Sequence, residues 1–277
     1  MAEGATTQID PLILAQTRTT ISFLILAPIL LLLRGPRHMM LPRRDFLRCL
    51  LLGMIGLVGS NYFYYLAIQR TNVTTAIVLQ YTAPVWVLLY MVVTRQERAT
   101  WVRVASVLLA FLGSAAAVGV VGGSSAMRLD TIGVLAAQGA AVSFAFYNIF
   151  GPALVRRHDR LLVMLYAFLG SALFWIILNP PWKLWRAGYT AAQWEFLAIF
   201  AVLSMLLPFA LYVVGLQYLD ATRAIVTSCL EPVFAIIIAA ILVGERVGGI
   251  QAIGILVVVG ATVLIQMSEH EAVPPSS

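Results

Sequence analysis

Nine apolar runs follow one another along this chain, at roughly 11–33, 49–69, 72–94, 102–122, 129–154, 161–178, 194–216, 221–243 and 249–268. Each is close to the ~20 residues that a helix needs to cross the hydrocarbon core of a bilayer. Inside hydrocarbon a backbone must pair its own N–H and C=O groups, so runs of this length predict helices. The chain therefore reads as an all-α polytopic membrane protein. Links between the runs are short, the longest being 34–48 and 179–193, which leaves no room for a separate soluble domain. A polar leader, 1–10, contains no cation and so lacks the start of a secretory signal. The tail, 269–277, is polar and proline-bearing, and is expected to be disordered.

Charge supports the same reading. Only 11% of the 277 residues are charged and 61% are hydrophobic, against about 25% charged in an ordinary soluble domain. The net charge of +6 does not indicate nucleic acid, because the cations are spread between apolar runs instead of gathered on one face. They are instead distributed by side. Alternate links hold Arg34, Arg37, Arg43, Arg44 and Arg48, then Arg95, Arg98 and Arg103, then Arg156, Arg157 and Arg160, then Arg223. The other set holds Arg70, Arg128, Lys183, Arg186 and Arg246. Twelve cations against five place the first set in the cytoplasm, with the N-terminus outside and the C-terminus inside. Trp175, Trp182, Trp185, Tyr189 and Trp194 surround the 179–193 link as an interfacial aromatic belt.

The chain also repeats itself. Gln69, Asn72, Ala76, Pro84, Glu97 and Arg98 recur as Gln217, Asp220, Ala224, Pro232, Glu245 and Arg246, every pair separated by the same 148 positions. That separation crosses an odd number of spans, so the second copy is inverted relative to the first. Inverted repeats meeting at a midplane site are a common transporter architecture. The copies are a first repeat at 11–122, with four helices, and a second at 129–268, with five. The first copy lacks its opening helix, so nine spans stand where a ten-helix fold is expected. A further span's worth of apolar residues upstream of Met1 is the corresponding expectation.

At this point the residues resemble a known family. The blocks YLAIQRTNVTTAIVLQYTAPVWVLLYMVVTRQERAT and VVGLQYLDATRAIVTSCLEPVFAIIIAAILVGERVG are similar to the paired repeats of EamA-type proteins, in the drug/metabolite transporter superfamily. Glu231-Pro232-Val233-Phe234 and Gly244-Glu245-Arg246 carry the stronger match. PLILAQTRTTISFLILAPILLLL, with Arg18, resembles the family's second helix. The resemblance runs from Pro11 to Gln266. It implies a ten-helix carrier with both termini cytoplasmic, typically an exporter in a bacterial inner membrane. Two departures stand out in the first copy. Thr94-Arg95-Gln96 precedes Glu97 where a glycine is usual, and Ala83 stands where Glu231 stands in the second.

Ionisable groups within spans are costly and mark candidate sites. Glu231 is expected to line a cavity and bind a proton or a cationic group. Arg18 would be its partner or an anion contact, and a static helix-joining pair is the competing reading. Asn61, Gln80, Tyr81, Tyr147, Asn148, Tyr212 and Ser228 complete the candidate substrate-binding set, as polar groups that need protein or water to face. Gln138, Tyr166 and Ser204 are other polar midmembrane residues. Pro84 and Pro232 are expected to kink equivalent helices, as hinges or as static shaping of a cavity. Glu97-Arg98 and Glu245-Arg246 read as helix-end pairings. Gly53, Gly56 and Gly59, and Gly113, Ala117 and Gly119, read as close helix packing.

The expected function is secondary active transport of small metabolites, such as amino acids or amphipathic and aromatic compounds, by alternating access. A proton is the candidate coupling ion and a homodimer the candidate assembly. No cofactor, metal or nucleic acid is implied, and Cys49 and Cys229 are not expected to form a disulfide. A membrane-embedded enzyme is disfavoured because Glu231 stands without a second catalytic group at its depth, with His38, His158 and His270 at membrane edges or in the tail. A channel would need a continuous polar stripe or filter. A nucleotide-sugar carrier would want more cavity cations than Arg18. It remains the alternative substrate class, beside a structural or sensor role.

Overall fold

The computed structural model describes residues 11–119, 129–186, 188–242 and 247–267. The leader Met1–Asp10, the tail from 268, and Glu245-Arg246 lie outside these. Fourteen α-helices are present among the described residues. In the first part of the chain they are α1 (Pro11–Arg34), α2 (Arg43–Leu51), α3 (Ser60–Arg70), α4 (Val73–Gln80), α5 (Ala83–Val93) and α6 (Trp101–Ala117). Then come α7 (Thr131–Val155), α8 (Arg160–Leu178), α9 (Pro181–Arg186), α10 (Ala191–Ala201) and α11 (Leu207–Gly215). The chain closes with α12 (Ala221–Ser228), α13 (Glu231–Leu242) and α14 (Gly249–Met267). Wider π-helical turns, Leu52–Gly59 and Val202–Leu206, join α2 to α3 and α10 to α11. Among the described residues eight helical stretches are long and apolar enough to cross a membrane, and Trp101–Ala117 is a shorter apolar helix. Together these match the nine predicted runs.

The helices carry the 148-residue spacing in their own bounds. α4 and α12 start 148 apart, at 73 and 221, and end 148 apart, at 80 and 228. α2 and α10 start at 43 and 191, α5 and α13 at 83 and 231, α6 and α14 at 101 and 249. The π-helical stretch Val202–Leu206 falls on 54–58, inside the first one. Equivalent caps begin α4 and α12. Asn72 Oδ1 accepts from Thr75 N at 2.8 Å, and Asp220 Oδ1 from Arg223 N at 2.8 Å. Each relieves a backbone donor that a helix start leaves unpaired.

The chain forms two compact units, and each draws on both repeats. The first comprises 1–58 and 154–214. Its equivalent helices α1 and α8 run antiparallel, since Gln16 near the start of α1 meets Asn179 at the end of α8. Their buried amides clasp reciprocally, Gln16 Nε2 donating to Asn179 O at 2.8 Å and Asn179 Nδ2 donating to Gln16 Oε1 at 2.7 Å. At the other ends Arg34 pairs with Asp159. Gly53 approaches the backbone of Ala167 and Gly170 that of Leu50, so closely that a Cβ at either glycine would collide with a carbonyl. Small residues at such crossings let membrane helices touch.

The second unit comprises 59–153 and 215–277. Here the equivalent pair is α6 and α14, again antiparallel. A Cβ on Gly113 would lie 2.9 Å from Val258 Cγ2, while one on Gly254 would lie 2.7 Å from Gly113 O and strike Ala117. Val107, Ala110, Val226, Cys229, Val233, Val258, Ala261 and Ile265 form the buried cluster around this crossing. Gly119, grouped with Gly113 and Ala117 in the sequence, instead ends α6 with φ of +86°. That left-handed conformation is one glycine adopts freely.

Candidate functional site

Two runs predicted as kinked helices are each broken in two. Tyr81 and Thr82 separate α4 from α5, and Cys229 and Leu230 separate α12 from α13. Proline accounts for both breaks. Pro84 and Pro232 stand second in their new helices, where a missing N–H and a fixed φ suit a helix start. The same missing N–H removes the donor that Gln80 or Ser228 would have used in a continuous helix. The prolines therefore interrupt the helical hydrogen bonds at the two places expected to be disturbed.

Polar side chains gather at these breaks. Gln138 reaches the first one from α7, its Oε1 accepting from Trp86 Nε1 at 3.1 Å and lying 3.1 Å from Thr82 Oγ1. Its Nε2 donates to Leu79 O at 3.5 Å, which Thr82 Oγ1 also reaches at 2.7 Å. Gln80 Nε2 donates to Ser60 Oγ at 3.2 Å. At the second break Ser228 Oγ donates to Ala224 O at 3.0 Å and Thr227 Oγ1 to Arg223 O at 2.8 Å. Gln266 of α14 donates to Thr227 Oγ1 at 3.0 Å.

The breaks adjoin, because Tyr81 packs against the cluster that contains Cys229. Glu231 opens α13 as an exposed side chain. On α3 the ring of Tyr64 lies 5.9 Å from that of Tyr65. The first-copy counterpart of Glu231 is Ala83, which is 1% exposed. Ala141 and Ala145 of α7 share its buried cluster with Val87 and Met91. On α13 the equivalent positions, Glu231 and Ala235, are open.

The remaining candidates are dispersed. Asn61 is half-buried on α3, in the second unit. Tyr147 and Asn148 are buried on α7, Asn148 Nδ2 donating to Phe144 O of its own helix at 2.9 Å. Arg18 is half-buried on α1 and Tyr212 half-buried on α11 with its ring against Phe209, both in the first unit. Arg18 and Glu231 thus belong to different units. The first unit also has a cavity of about 430 Å³, lined by Pro181, Leu184 and Gly188 together with Tyr189 and Trp194, two members of the predicted aromatic belt. Among the described residues no group of three His, Cys, Asp or Glu could hold a metal ion.

In the second unit Glu97 makes the helix-end pairing expected of it, within a charged network whose other members the sequence did not name. Arg103 Nη1 donates to Glu97 Oε2 at 2.8 Å and its Nη2 to Asp220 Oδ2 at 3.2 Å. Thr222 Oγ1 donates to Glu97 Oε2 at 2.6 Å, and Arg223 Nε lies 3.6 Å from Asp220. Arg103 and Arg223, counted from sequence as link cations, are buried. Burial raises the Glu97 carboxyl above its ordinary range, against the Thr222 hydrogen bond, with Asp220 adding to the rise and Arg103 opposing it.

The chain matches the EamA-like transporter family over residues 1–119 and 131–267. It belongs to that family. An EamA protein is a helical integral membrane transporter of small molecules, and the described helices fit that fold. One relative is the inner membrane transporter YicL of Salmonella typhimurium, 23% identical over 82% of this chain and 75% of its own length. Another is the threonine/homoserine exporter RhtA of the same species, 28% identical over 75% of this chain and 67% of its own. The transporter YxxF of Bacillus subtilis is 27% identical over 78% of this chain and 68% of its own. A solved crystal structure overlays with a TM-score of 0.75 at 21% identity, covering 94% of this chain and 88% of that one. At that identity the likeness speaks for the fold.

Proposed function

We propose that this EamA protein is a secondary active exporter of small metabolites, amino acids or amphipathic and aromatic compounds among them, working by alternating access. The observation that carries the reading is the pair of helix breaks, 148 residues apart and adjoining in one unit, with Glu231 beside them. Inverted repeats with equivalent broken helices give a transporter two exchangeable conformations around one site. The name of RhtA, an exporter of threonine and homoserine, supports amino acids as the solute class. Repeats at 11–122 and 129–268 would supply the two conformations, with Pro84 and Pro232 at the moving joints. Arg18, Asn61, Gln80, Tyr81, Tyr147, Asn148, Tyr212, Ser228 and Glu231 would face or support the solute, and a proton would drive it. The C-terminus would be cytoplasmic, in a bacterial inner membrane, and the working form a homodimer.

Counterflow in proteoliposomes tests this. Vesicles preloaded with threonine, homoserine or an aromatic amino acid should take up the labelled solute faster with protein than without, and an inward-acid gradient should change the rate. Equal rates with and without protein across amino acids, aromatic metabolites and cationic drugs overturn the reading.

A further inference from the structure

We propose that the first unit carries, at one membrane face, a binding site for an anionic phospholipid, built from the links 34–48 and 154–160. Three spans of this unit meet that face: one closes at Arg34, one opens at Arg43 and one opens at Arg160. The two links are clasped to each other. His158 Nε2 lies 2.8 Å from Asp45 Oδ2, although the residues stand 113 positions apart. Arg34 pairs with Asp159, and the Tyr166 hydroxyl donates to the carbonyl of Met39. The clasp occupies the acids of this surface, since Asp45 and Asp159 are the only carboxylates in the two links. Asp45 also accepts from Arg48 Nη1 at 2.9 Å, and Asp159 caps α8, accepting from Leu161 N at 3.0 Å. Among the described residues no carboxylate pairs with Arg37, Arg43, Arg44, Arg157 or Arg160, and all five are exposed. A general preference for cations on one side of the membrane puts arginines in links. It does not require two links to be joined, nor their acids to be occupied.

Apolar side chains decide between a lipid and a soluble anion. On α2 the residues Arg44, Leu47, Arg48 and Leu51 share the exposed face, at spacings of three and four. At 1.5 Å of rise per residue Arg44 stands about 10 Å from Leu51 along the helix. The face thus runs from cations at the membrane surface to leucine at the depth of hydrocarbon. Met40, in the link between Arg37 and Arg43, is 81% exposed. A phospholipid matches both ends of this face, with its phosphate on the guanidinium groups and an acyl chain along Leu47 and Leu51. Free phosphate would leave the apolar end uncovered. A zwitterionic lipid would cover it, but its own cation offsets the attraction of the arginines.

Native mass spectrometry of the purified full-length chain tests the site, in detergent micelles holding equal amounts of dioleoylphosphatidylglycerol and dioleoylphosphatidylcholine. Retained lipid should favour phosphatidylglycerol by about tenfold, from the attraction that several surface cations add together. The combined variant Arg43→Gln, Arg44→Gln, Arg157→Gln and Arg160→Gln, checked as monodisperse by gel filtration, should lose about fivefold or more of that preference. The milder pair Arg44→Gln and Arg157→Gln, one from each link, should lose about threefold. Arg95→Gln with Arg98→Gln removes two exposed cations from a link of the second unit, and should leave the preference intact. Excess inorganic phosphate should not displace the lipid. Equal retention of the two lipids, or an undiminished preference in both the combined variant and the pair, overturns the site. Equal losses from the second-unit variant would show a diffuse charge effect and also overturn it. Displacement by phosphate would mark a site for a free anion and overturn the lipid assignment.

Discussion

Arg103 is buried at the start of α6 and holds two carboxylates, Glu97 and Asp220, with one guanidinium. Removing one member of a buried ion pair strands the other, at a cost of about 3–5 kcal/mol. Arg103→Gln should therefore lower the melting temperature in detergent strongly, and adding Glu97→Gln should recover part of the loss. The pH dependence has a definite sign. Burial raises the Glu97 carboxyl above its unfolded value, so between the two values the folded chain binds more protons than the unfolded one. Its contribution is thus present at low pH and lost as pH rises through the folded value. Arg103→Gln removes the group that opposes the rise, so its melting temperature should decline more steeply with increasing pH than that of the parent. A slope no different from the parent's would show that Glu97 is not the responsive group. Nothing local in the sequence pairs Glu97 with Thr222, 125 positions away. Arg103 and Arg223 read as link cations because their neighbours in the chain are link residues. Only folding brings the carboxylates to them.

Helix breaks and crossings were legible to different degrees. Pro84 and Pro232, at matching places, signalled disturbed helices from sequence, but proline alone does not say whether a helix bends or restarts. That choice falls to the residues around it, such as Gln138, which comes from a helix outside the matched register and satisfies the first break. The π-helical turns at Leu52–Gly59 and Val202–Leu206 left no trace in composition. Gly53 and Gly113 did announce close packing, and the structure gives each a backbone neighbour. A methyl group added at Gly254 meets Gly113 O and the backbone of Ala117. One at Gly260 meets nothing within 4 Å. Gly254→Ala should therefore cost about 1–3 kcal/mol through forced separation of α6 and α14. Gly260→Ala should be neutral or slightly stabilising, by up to about 1 kcal/mol from helix propensity. Thermal melts of the two variants side by side check this, and equal losses would contradict the crossing geometry.

At the scale of the whole molecule, the expected orientation rests on a cation count that burial changes. With Arg103 and Arg223 buried in ion pairs, ten cations remain on the side assigned to the cytoplasm against five on the other. Cysteines introduced at Arg186 and at Arg44, both exposed, should divide accordingly. An impermeant maleimide added outside intact cells should label position 186 and miss 44, and the native Cys49 and Cys229, both buried, should contribute little background. The reverse pattern would turn the molecule over. The division into units also bears on how the protein is made. The first unit needs 1–58 and 154–214, and the second needs 59–153 and 215–277. A ribosome that has delivered the whole first repeat has completed neither. The earliest helices must therefore wait in the bilayer, without their packing partners, until α8 and α10 are inserted, and the second unit closes only with α14. Nascent chains halted within the middle third should accordingly be prey for membrane proteases, and resistance should arrive in two late steps, not gradually with length.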